Sequence, residues 1–487
     1  MRKILAVLLV VAMLALALSS CNKKETRKDK NKSSNSEQSE SMSDNKAETE
    51  SNTQVEPELN SPDEDEEEIN VSQGLLFQKN PDGQSYSVIG IGTCKDKEIV
   101  IPKTYEGLPV TSIGEDAFED CTSITGIKIP DGITSICSGA FSGCVELRNI
   151  NIPNSVEEIG IWVFNECDNL ELNRYDNAYY VGNESNEYLL LMYAVDEKII
   201  SCNIHEDTRF IYSYAFSNCE EITEIIIPDS VYYIANCAFD SCKKITSIKI
   251  PKSVAYIGNS AFAYCNMLTD VVFEFESALT YLGSFAFFCC TNLSKIEIPD
   301  GVKYIEKLTF ASDKNLVSVV LPDGVTGLAE NVFSECSSLK SISIPSSVRT
   351  IGSSAFSKCF GLESIYITDI EAWCSIAFLG NESNPLIYAE NLYLNNKLVT
   401  DFVIPDGVTS INSYLFSGCS SITSVTIPNS VTSIGSSAFS DCSSITSINY
   451  GGTKLQWSEI SKAYAWNFGA NNYTVICTDG VLTKAES

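Results

Sequence analysis

The chain has 487 residues, 44% of them hydrophobic, which is enough apolar material to bury a substantial core. Its formal net charge of −30 and pI near 4.4 disfavour a basic patch for nucleic-acid phosphates or for an anionic membrane surface. Residues 71–487 alone hold 24 Lys/Arg against 48 Asp/Glu, so the body of the chain is itself acidic and no nucleic acid is expected as a partner.

The N-terminus carries the features of an export signal. A positively charged start precedes an apolar run from Ile4 to Leu18, which is short for a membrane span and typical of a signal peptide. The run closes in Leu-Ser-Ser-Cys21, which resembles the bacterial lipobox. That resemblance implies that residues 1–20 form a lipoprotein signal peptide and that Cys21 is lipidated, with acyl chains as the only membrane anchor. The alternative is a plain secretory signal followed by an incidental cysteine.

Residues 21–70 are rich in Lys, Ser, Asn, Glu and Asp and close in an acidic run from Asp63 to Glu68. So few aliphatic and aromatic residues cannot offset the cost of ordering the backbone. We therefore predict a disordered tether that holds the body away from the membrane.

A unit of twenty-three residues recurs along most of the remaining chain. The stretches Ile113–Pro130 and Ile434–Ile448 are two versions of the same pattern. The repeated phenylalanines are Phe118, Phe141, Phe164, Phe216, Phe239, Phe262, Phe287, Phe310, Phe333, Phe356, Phe416 and Phe439. A fixed period of this length predicts stacked rungs, because one rung cannot bury its own apolar face.

Each unit predicts a short strand followed by turns. Alternation places Ile127 and Ile129 inward and Gly126 and Lys128 outward. A Pro-x-Gly/Ser-Val sequence then turns the chain, and the Ala-Phe-x-x-Cys segment is too short for more than a helical turn. Stacking would align Phe, Ile, Ala and Cys in columns that form one continuous core.

The cadence Pro-x-Ser-Val-x-x-Ile-Gly-x-x-Ala-Phe-x-x-Cys-x-x-Leu/Ile resembles the BspA-type leucine-rich repeat surface proteins over roughly Val110 to Tyr450. The resemblance implies a repeat solenoid, a right-handed superhelix of 23-residue rungs with short parallel strands. Members of that family are associated with adhesion to host matrix proteins and with coaggregation between cells. The resemblance therefore implies protein partners and display at the cell surface.

The predicted organisation continues from the tether to the C-terminus. Residues 71–109 are predicted to form an N-terminal cap and 450–487 a C-terminal cap, because the ends of a solenoid need covering. The repeats span residues 110–449. Their period is broken near 168–212 and 360–403, which we interpret as longer variant rungs with extra hairpins that stay in the stack.

Cysteines recur three residues after the phenylalanines, as expected of a small apolar core position. We predict free buried thiols, no zinc site and no cofactor. Cys202 lies close in sequence to His205, the only histidine, but nothing supplies a third partner or an oxyanion hole. We therefore predict that the chain is not an enzyme.

The outward strand positions form the candidate binding face, because repeat proteins use extended surfaces of this kind for recognition. A merely solvated polar face is the competing interpretation. The candidate residues are Lys128, Asn149, Asn151, Lys249, Lys295, Glu297, Ser341, Ser343, Ser424 and Thr426.

Two hypotheses on function follow. The first is a monomeric, lipid-anchored adhesin or protein-interaction scaffold that binds host matrix or other cell-surface proteins. The second is a glycan-binding or substrate-capturing lipoprotein in which aromatic residues of the interruptions and the C-terminal cap stack on sugar rings. Trp373 and Trp457 are the residues that would carry the second hypothesis.

Overall fold

The computed structural model describes residues 70–380, 382–470 and 472–486. The predicted signal peptide, the predicted lipidation site Cys21 and almost all of the predicted tether lie outside these residues. The body is a β-solenoid with a repeat of about 23 residues, so the predicted fold class is confirmed.

Most rungs contribute one strand of three or four residues and one strand of two residues, and these lie in two separate sets of sheets. We call the surface of the first set the long-strand face and that of the second the short-strand face. The long strands are Glu98–Val100, Gly126–Lys128, Asn149–Asn151, Ser201–Asn203, Glu224–Ile226, Ser247–Ile250, Asp270–Phe273, Lys295–Glu297, Ser318–Val320, Ser341–Ser343, Ser364–Ile367, Asn391–Leu394, Asp401–Val403, Ser424–Ile427, Ser447–Tyr450 and Thr474–Cys477. The short strands are Ser135–Ile136, Glu158–Ile159, Phe210–Ile211, Tyr233–Ile234, Tyr256–Ile257, Tyr281–Leu282, Tyr304–Ile305, Gly327–Leu328, Thr350–Ile351, Ala377–Phe378, Ser410–Ile411, Ser433–Ile434 and Ser461–Lys462.

Neighbouring rungs pair in parallel and in repeat register. Lys295 lies opposite Ser318, which lies opposite Ser341, and on the other face Tyr233 lies opposite Tyr256. Because the repeat length is nearly constant, each sequence position forms a column along the stack. The chemistry of a face can therefore be read from every twenty-third residue.

The phenylalanine column forms the centre of the core. Phe216, Phe239 and Phe262 are no more than 1% exposed, and their rings stack in sequence with centroids 5.3 and 5.0 Å apart. Isoleucine, leucine and valine side chains from both sets of strands surround them. Burial of these columns drives the stacking, since a single rung would leave one side of each ring in water.

The cysteine column lies beside the phenylalanines, and its thiols donate hydrogen bonds to phenylalanine backbone carbonyls. The thiol of Cys242 donates to the carbonyl of Phe216 at 3.2 Å, and Cys265 donates to Phe239 at 3.2 Å. Each thiol thus links its own rung to the preceding one. All cysteines of the described residues are free, which confirms the prediction of unpaired thiols in this part of the chain.

The segment around each phenylalanine consists of turns rather than a helix. In most rungs the residues two before and two after the phenylalanine have positive φ, as in Ser260 at 56° and Tyr264 at 58°. Left-handed backbone reverses the chain twice within a few residues. The helical turn that the sequence allows is replaced by this compact double turn.

Side-chain hydroxyls reinforce the stack outside the apolar core. Thr269 donates to the carbonyl of Thr246 at 2.9 Å, and Ser253 donates to the carbonyl of Val231 at 2.7 Å. Both bonds cross from one rung to the preceding one. This explains why threonine recurs before the long strands and why serine recurs in the Pro-x-Ser-Val turns.

The two interruptions of the period remain within the stack. The first contains the antiparallel strands Asn173–Tyr175, Ala178–Asn183 and Asn186–Ala194, and the last of these pairs in parallel with Phe210–Ile211. The second contains an α-helix, Ile370–Ser375, a 3-10 helix, Pro385–Ile387, and the strand Lys397–Leu398. The Asp369 side chain caps that α-helix by accepting the Ala372 N–H at 3.0 Å.

The ends of the solenoid carry hairpins. At the N-terminal end, Leu76–Lys79 pairs antiparallel with Tyr86–Gly90, and Thr104–Tyr105 with Leu108–Ile113. At the C-terminal end, Gly480–Thr483 pairs antiparallel with Thr474–Cys477. The remaining elements there are the α-helix Lys454–Glu459 and the 3-10 helix Lys484–Glu486. Within the described residues, no helix combines the length and apolarity needed to cross a bilayer.

Candidate functional site

The ten candidate residues lie on the outward side of the long strands, each at least partly exposed. Most of their inward neighbours are buried, as Ile127 and Ile129 are at 3% exposure each, whereas Ile150 is partly exposed. The alternation predicted from sequence therefore holds at this strand. Gly126 also faces outward but is covered, because the Glu98 carboxylate lies where its Cβ would be.

Three of the candidates already serve the stack. The Asn151 side chain bonds both backbone groups of Ile129, accepting its N–H at 2.9 Å and donating to its carbonyl at 2.8 Å. Lys249 forms an ion pair with Glu274, and the Ser424 hydroxyl donates to the Asp401 carboxylate on the preceding rung. These three side chains are less available to a partner than the other seven.

Exposed aliphatic residues share the face and were missed by the sequence analysis, which selected polar positions. Ile226, Val272 and Val320 are 53%, 54% and 51% exposed. They occupy the second outward position of alternate rungs, with Lys249 and Glu297 on the rungs between them. The signal was present in the sequence, since these residues fall in the same column as Lys249 and Glu297.

A shallow cleft of about 480 Å³ opens beside this column. Its wall includes Val320, Asp323, Ser343, Pro345 and Thr368. One exposed aliphatic side chain and one predicted face residue therefore border the same concavity. Polar and apolar groups both line it.

Two tyrosines stack on the same face near the second interruption. Tyr366 and Tyr393 lie opposite each other on paired strands, with ring centroids 5.0 Å apart and planes 19° apart. Both rings are partly exposed. Farther along the chain, Val403 and Ile476 are 55% and 42% exposed in the same column.

The short-strand face carries a second aromatic column that the sequence analysis did not single out. Tyr233, Tyr256 and Tyr281 stack with centroids 4.3 and 4.6 Å apart, and Tyr304 follows on the next rung. Stacked rings cover each other's faces and leave mainly their edges in solvent. The recurrent Tyr-Ile/Leu pair at this position was the available sequence signal.

Asp313 replaces cysteine in the buried column. It is 0% exposed, and neither carboxyl oxygen makes a hydrogen bond of ordinary geometry. Burial raises its pKa well above the ordinary value, and the nearby backbone N–H of Cys290 only partly opposes that shift. The cysteines on either side, Cys290 and Cys336, each donate to a phenylalanine carbonyl, at 3.2 and 3.0 Å. A group of this kind lies in the core, so it can affect stability but cannot touch a partner.

The tryptophans invoked for sugar stacking are not surface residues. Trp373 and Trp457 are each 1% exposed, and each is packed in the hydrophobic core. The prediction that they would present rings to a glycan is wrong. Both side chains fill the space that the irregular rungs leave, which is a packing role that the period alone could not reveal.

The surroundings of Cys202 and His205 are not those of a hydrolytic site. Cys202 is 1% exposed, and burial raises the pKa of its thiol to about 12, so almost no thiolate forms at neutral pH. The His205 ring stacks on Tyr188 at 3.9 Å, and its Nδ1 accepts the Asp207 N–H at 3.2 Å. No cluster of His, Cys, Asp and Glu suited to a metal ion occurs within the described part of the chain.

Comparison with known proteins gives a clear family match. The model of the BspA type leucine rich repeat region matches residues 92–185, 192–311, 272–384 and 388–470. Together these ranges cover most of the described chain. No curated protein sequence matches the chain.

Several solved structures are similar over most of their length. A leucine-rich repeat protein from Bacteroides ovatus is 24% identical, with 82% of this chain and 90% of that chain covered and a TM-score of 0.38. A leucine rich cell surface protein from Faecalibacterium prausnitzii is 26% identical, with 80% and 97% covered and a TM-score of 0.31. The pneumococcal vaccine antigen PcpA is 15% identical, with 84% and 98% covered and a TM-score of 0.31.

Proposed function

The chain belongs to the BspA-type leucine-rich repeat family, and from that premise we propose that it is a cell-surface scaffold that binds other proteins through its long-strand face. Its partners would be host matrix proteins or proteins on other cells. The chain would act as a monomer and would catalyse no reaction.

The observation that carries this proposal is the alternating column of exposed aliphatic and charged side chains. Ile226, Val272 and Val320 each leave about half of the side chain in water, at 53%, 54% and 51%. Aliphatic groups at this exposure, spaced regularly on a rigid sheet, favour a surface that becomes covered by a partner. The intervening Glu297, together with the Lys249–Glu274 ion pair, would supply the charged groups that give such an interface its specificity.

The cleft next to Val320 supports the same face. A partner lying along the column would be able to insert a side chain between Val320 and Pro345, with the Ser343 hydroxyl and the Asp323 carboxylate nearby. Buried anchors of this kind account for most of the binding energy in protein interfaces. The other exposed positions would then contribute mainly shape and charge complementarity.

Surface display is the second part of the proposal, and its support comes from the sequence. The apolar run from Ile4 to Leu18 and the lipobox-like ending at Cys21 support export followed by lipid anchoring. The acidic, serine-rich stretch of residues 21–70 would provide the reach that lets a surface protein contact another cell. A face built for proteins needs such exposure to meet them.

The test compares two double variants of the full chain. Val272→Glu with Val320→Glu places two carboxylates on the long-strand face. The control, Val145→Glu with Met267→Glu, places two carboxylates at apolar residues that are 38% and 47% exposed in turns outside the long strands. Each protein is titrated against a panel of immobilised matrix proteins and against a glycan array, after thermal unfolding has shown that both variants fold.

We expect the wild type and the control to bind at least one matrix protein with the same affinity. The face variant should lose at least about tenfold, which corresponds to about 1.4 kcal/mol. Equal losses in both variants would place binding elsewhere on the chain. Binding to sugars alone would replace the protein-binding proposal with the glycan hypothesis.

A further inference from the structure

One rung departs from the repeat pattern on the short-strand face. Its outward residue Tyr304 continues the tyrosine column, but two positions later Glu306 stands where neighbouring rungs have Gly258, Gly283 and Ala329. An added Cβ at Gly283 would lie 2.6 Å from backbone atoms of the preceding rung, so this column is where rungs normally approach most closely. A glutamate there is a marked exception.

The short-strand sheet is interrupted on the preceding side of this rung. Strand pairing on the short-strand face runs without interruption through Tyr281–Leu282, stops, and resumes at Tyr304–Ile305. Rungs of unequal length do not explain the break, because Tyr281 and Tyr304 are separated by the usual repeat.

The tyrosine column opens at the same point. Tyr256 and Tyr281 are stacked at 4.6 Å, whereas Tyr281 and Tyr304 make no ring contact in the described structure. Tyr304 instead leans over Gly327 on the following rung, where an added Cβ would lie 2.4 Å from the tyrosine ring. The tyrosine column is therefore interrupted between the two rings, and Tyr304 is 43% exposed. We call this interruption the Tyr281/Tyr304 cleft.

Glu306 lies beside this cleft with its charge uncompensated by an ion pair. No lysine or arginine of the described chain forms an ion pair with it, and its nearest cationic neighbour is the adjacent Lys307. Burial raises the pKa of its carboxyl, and the Lys307 charge only partly opposes that shift. Burial and then the Glu306 charge raise the pKa of Tyr304.

These groups share one electrostatic preference. Tyrosine ring faces and a carboxylate in a partly desolvated position all attract a cation, and a planar guanidinium fits between two aromatic rings better than a compact ammonium does. The acidic body, with 48 Asp/Glu against 24 Lys/Arg in residues 71–487, favours the approach of a positively charged partner.

We propose that the cleft between Tyr281 and Tyr304, together with the neighbouring Glu306, binds an arginine side chain of a protein partner. The site lies on the short-strand face, so it does not depend on the function proposed for the long-strand face. The bound arginine would stack its guanidinium group on the tyrosine rings and form an ion pair with the Glu306 carboxylate.

The test uses the purified full-length chain and three capped tripeptides with Arg, Lys or citrulline between two glycines. Binding is followed by calorimetry and by chemical-shift changes of tyrosine-ring resonances. Variants are Glu306→Gln, Tyr304→Phe and Tyr304→Leu, with Glu297→Gln and Tyr366→Leu as matched controls on the long-strand face. Thermal unfolding establishes that each variant folds.

We expect the Arg peptide to bind more tightly than the Lys peptide and the citrulline peptide to bind least. Glu306→Gln and Tyr304→Leu should each weaken the Arg peptide at least about fivefold, in the range expected for a partly desolvated cation–π or ionic contact. Tyr304→Phe should retain binding because it keeps the ring face, and the controls should bind as the wild type does.

Three results would overturn the proposal. The first is no measurable binding of the Arg peptide to the wild type, and the second is equal binding of the Arg and citrulline peptides. The third is an equal loss in the long-strand controls and in Glu306→Gln, which would indicate general attraction to an acidic protein instead of a defined site.

Discussion

Replacing Asp313 by cysteine should increase the free energy of unfolding, although the change removes an ionisable side chain and does not alter the surface. Asp313 is fully buried, and neither of its carboxyl oxygens makes a hydrogen bond of ordinary geometry. A cysteine there would rejoin the column in which Cys290 and Cys336 each donate to a phenylalanine carbonyl. Removing an unsatisfied buried polar group should recover about 1–3 kcal/mol.

The pH dependence of this gain has a definite sign. Burial raises the pKa of Asp313 well above its ordinary value of 3.8, so between these two pKa values the folded state holds a proton that the unfolded state releases. Stability is therefore greatest below the unfolded pKa and is lost as pH rises toward the folded pKa. The loss is about 1.4 kcal/mol per pH unit within that window. Asp313→Cys should abolish this contribution.

The assay is urea unfolding of wild type, Asp313→Cys and Asp313→Asn at about pH 5 and about pH 7. The cysteine variant should exceed the wild type by more at the higher pH. The asparagine variant should lose the same pH dependence while keeping an unsatisfied polar group, so it separates titration from hydrogen bonding. A cysteine variant no more stable than the wild type, or one with an unchanged pH dependence, would refute the reasoning.

Three further predictions concern the core, the thiols and the anchor. Phe262→Ala should destabilise the solenoid by about 3–5 kcal/mol in urea unfolding because the ring is 1% exposed, whereas Phe275→Ala should have almost no effect because that ring is 87% exposed. In the native protein a thiol reagent should label the half-buried Cys121 and Cys289 before Cys144, because burial raises the pKa of the Cys144 thiol to about 12. Mass spectrometry measures the order of labelling, and equal labelling would contradict the buried column. Cys21→Ala should abolish palmitate incorporation, and protease treatment of intact wild-type cells should release peptides of the body; retained label in the variant would exclude lipidation at Cys21.

Much of the fold was predictable because the repeat makes each column visible many times. Twelve phenylalanines at one position predict a shared environment, and the structure places Phe216 and its successors in one stacked core. The double turn around each phenylalanine was not predictable from residue types. Its left-handed positions hold residues as different as Ser260, Tyr264 and Leu308, so the backbone conformation is imposed by packing between rungs.

The binding face was only partly predictable. Alternation correctly placed Lys128 outward, but it could not show that the Asn151 amide is occupied by the backbone of Ile129 or that Lys249 is paired with Glu274. Such contacts join residues a full rung apart. The burial of Trp373 was missed for a similar reason, since the irregular rung around it supplies a pocket that no period describes.

The rung that contains Tyr304 departs from the repeat at two positions, Glu306 and Asp313. The first should affect binding, and the second should affect stability. Glu306 and Asp313 both place a carboxyl group where neighbouring rungs have small or apolar residues, and burial raises the pKa of both. Only Glu306 borders the proposed arginine cleft, because Asp313 is 0% exposed. Asp313→Cys should therefore raise stability and leave binding of the Arg peptide unchanged. Glu306→Ala, which copies Ala329 of the next rung, should keep the fold and lose the peptide. Loss of binding in both variants would mean that the open rung, and not the Glu306 carboxylate, determines recognition.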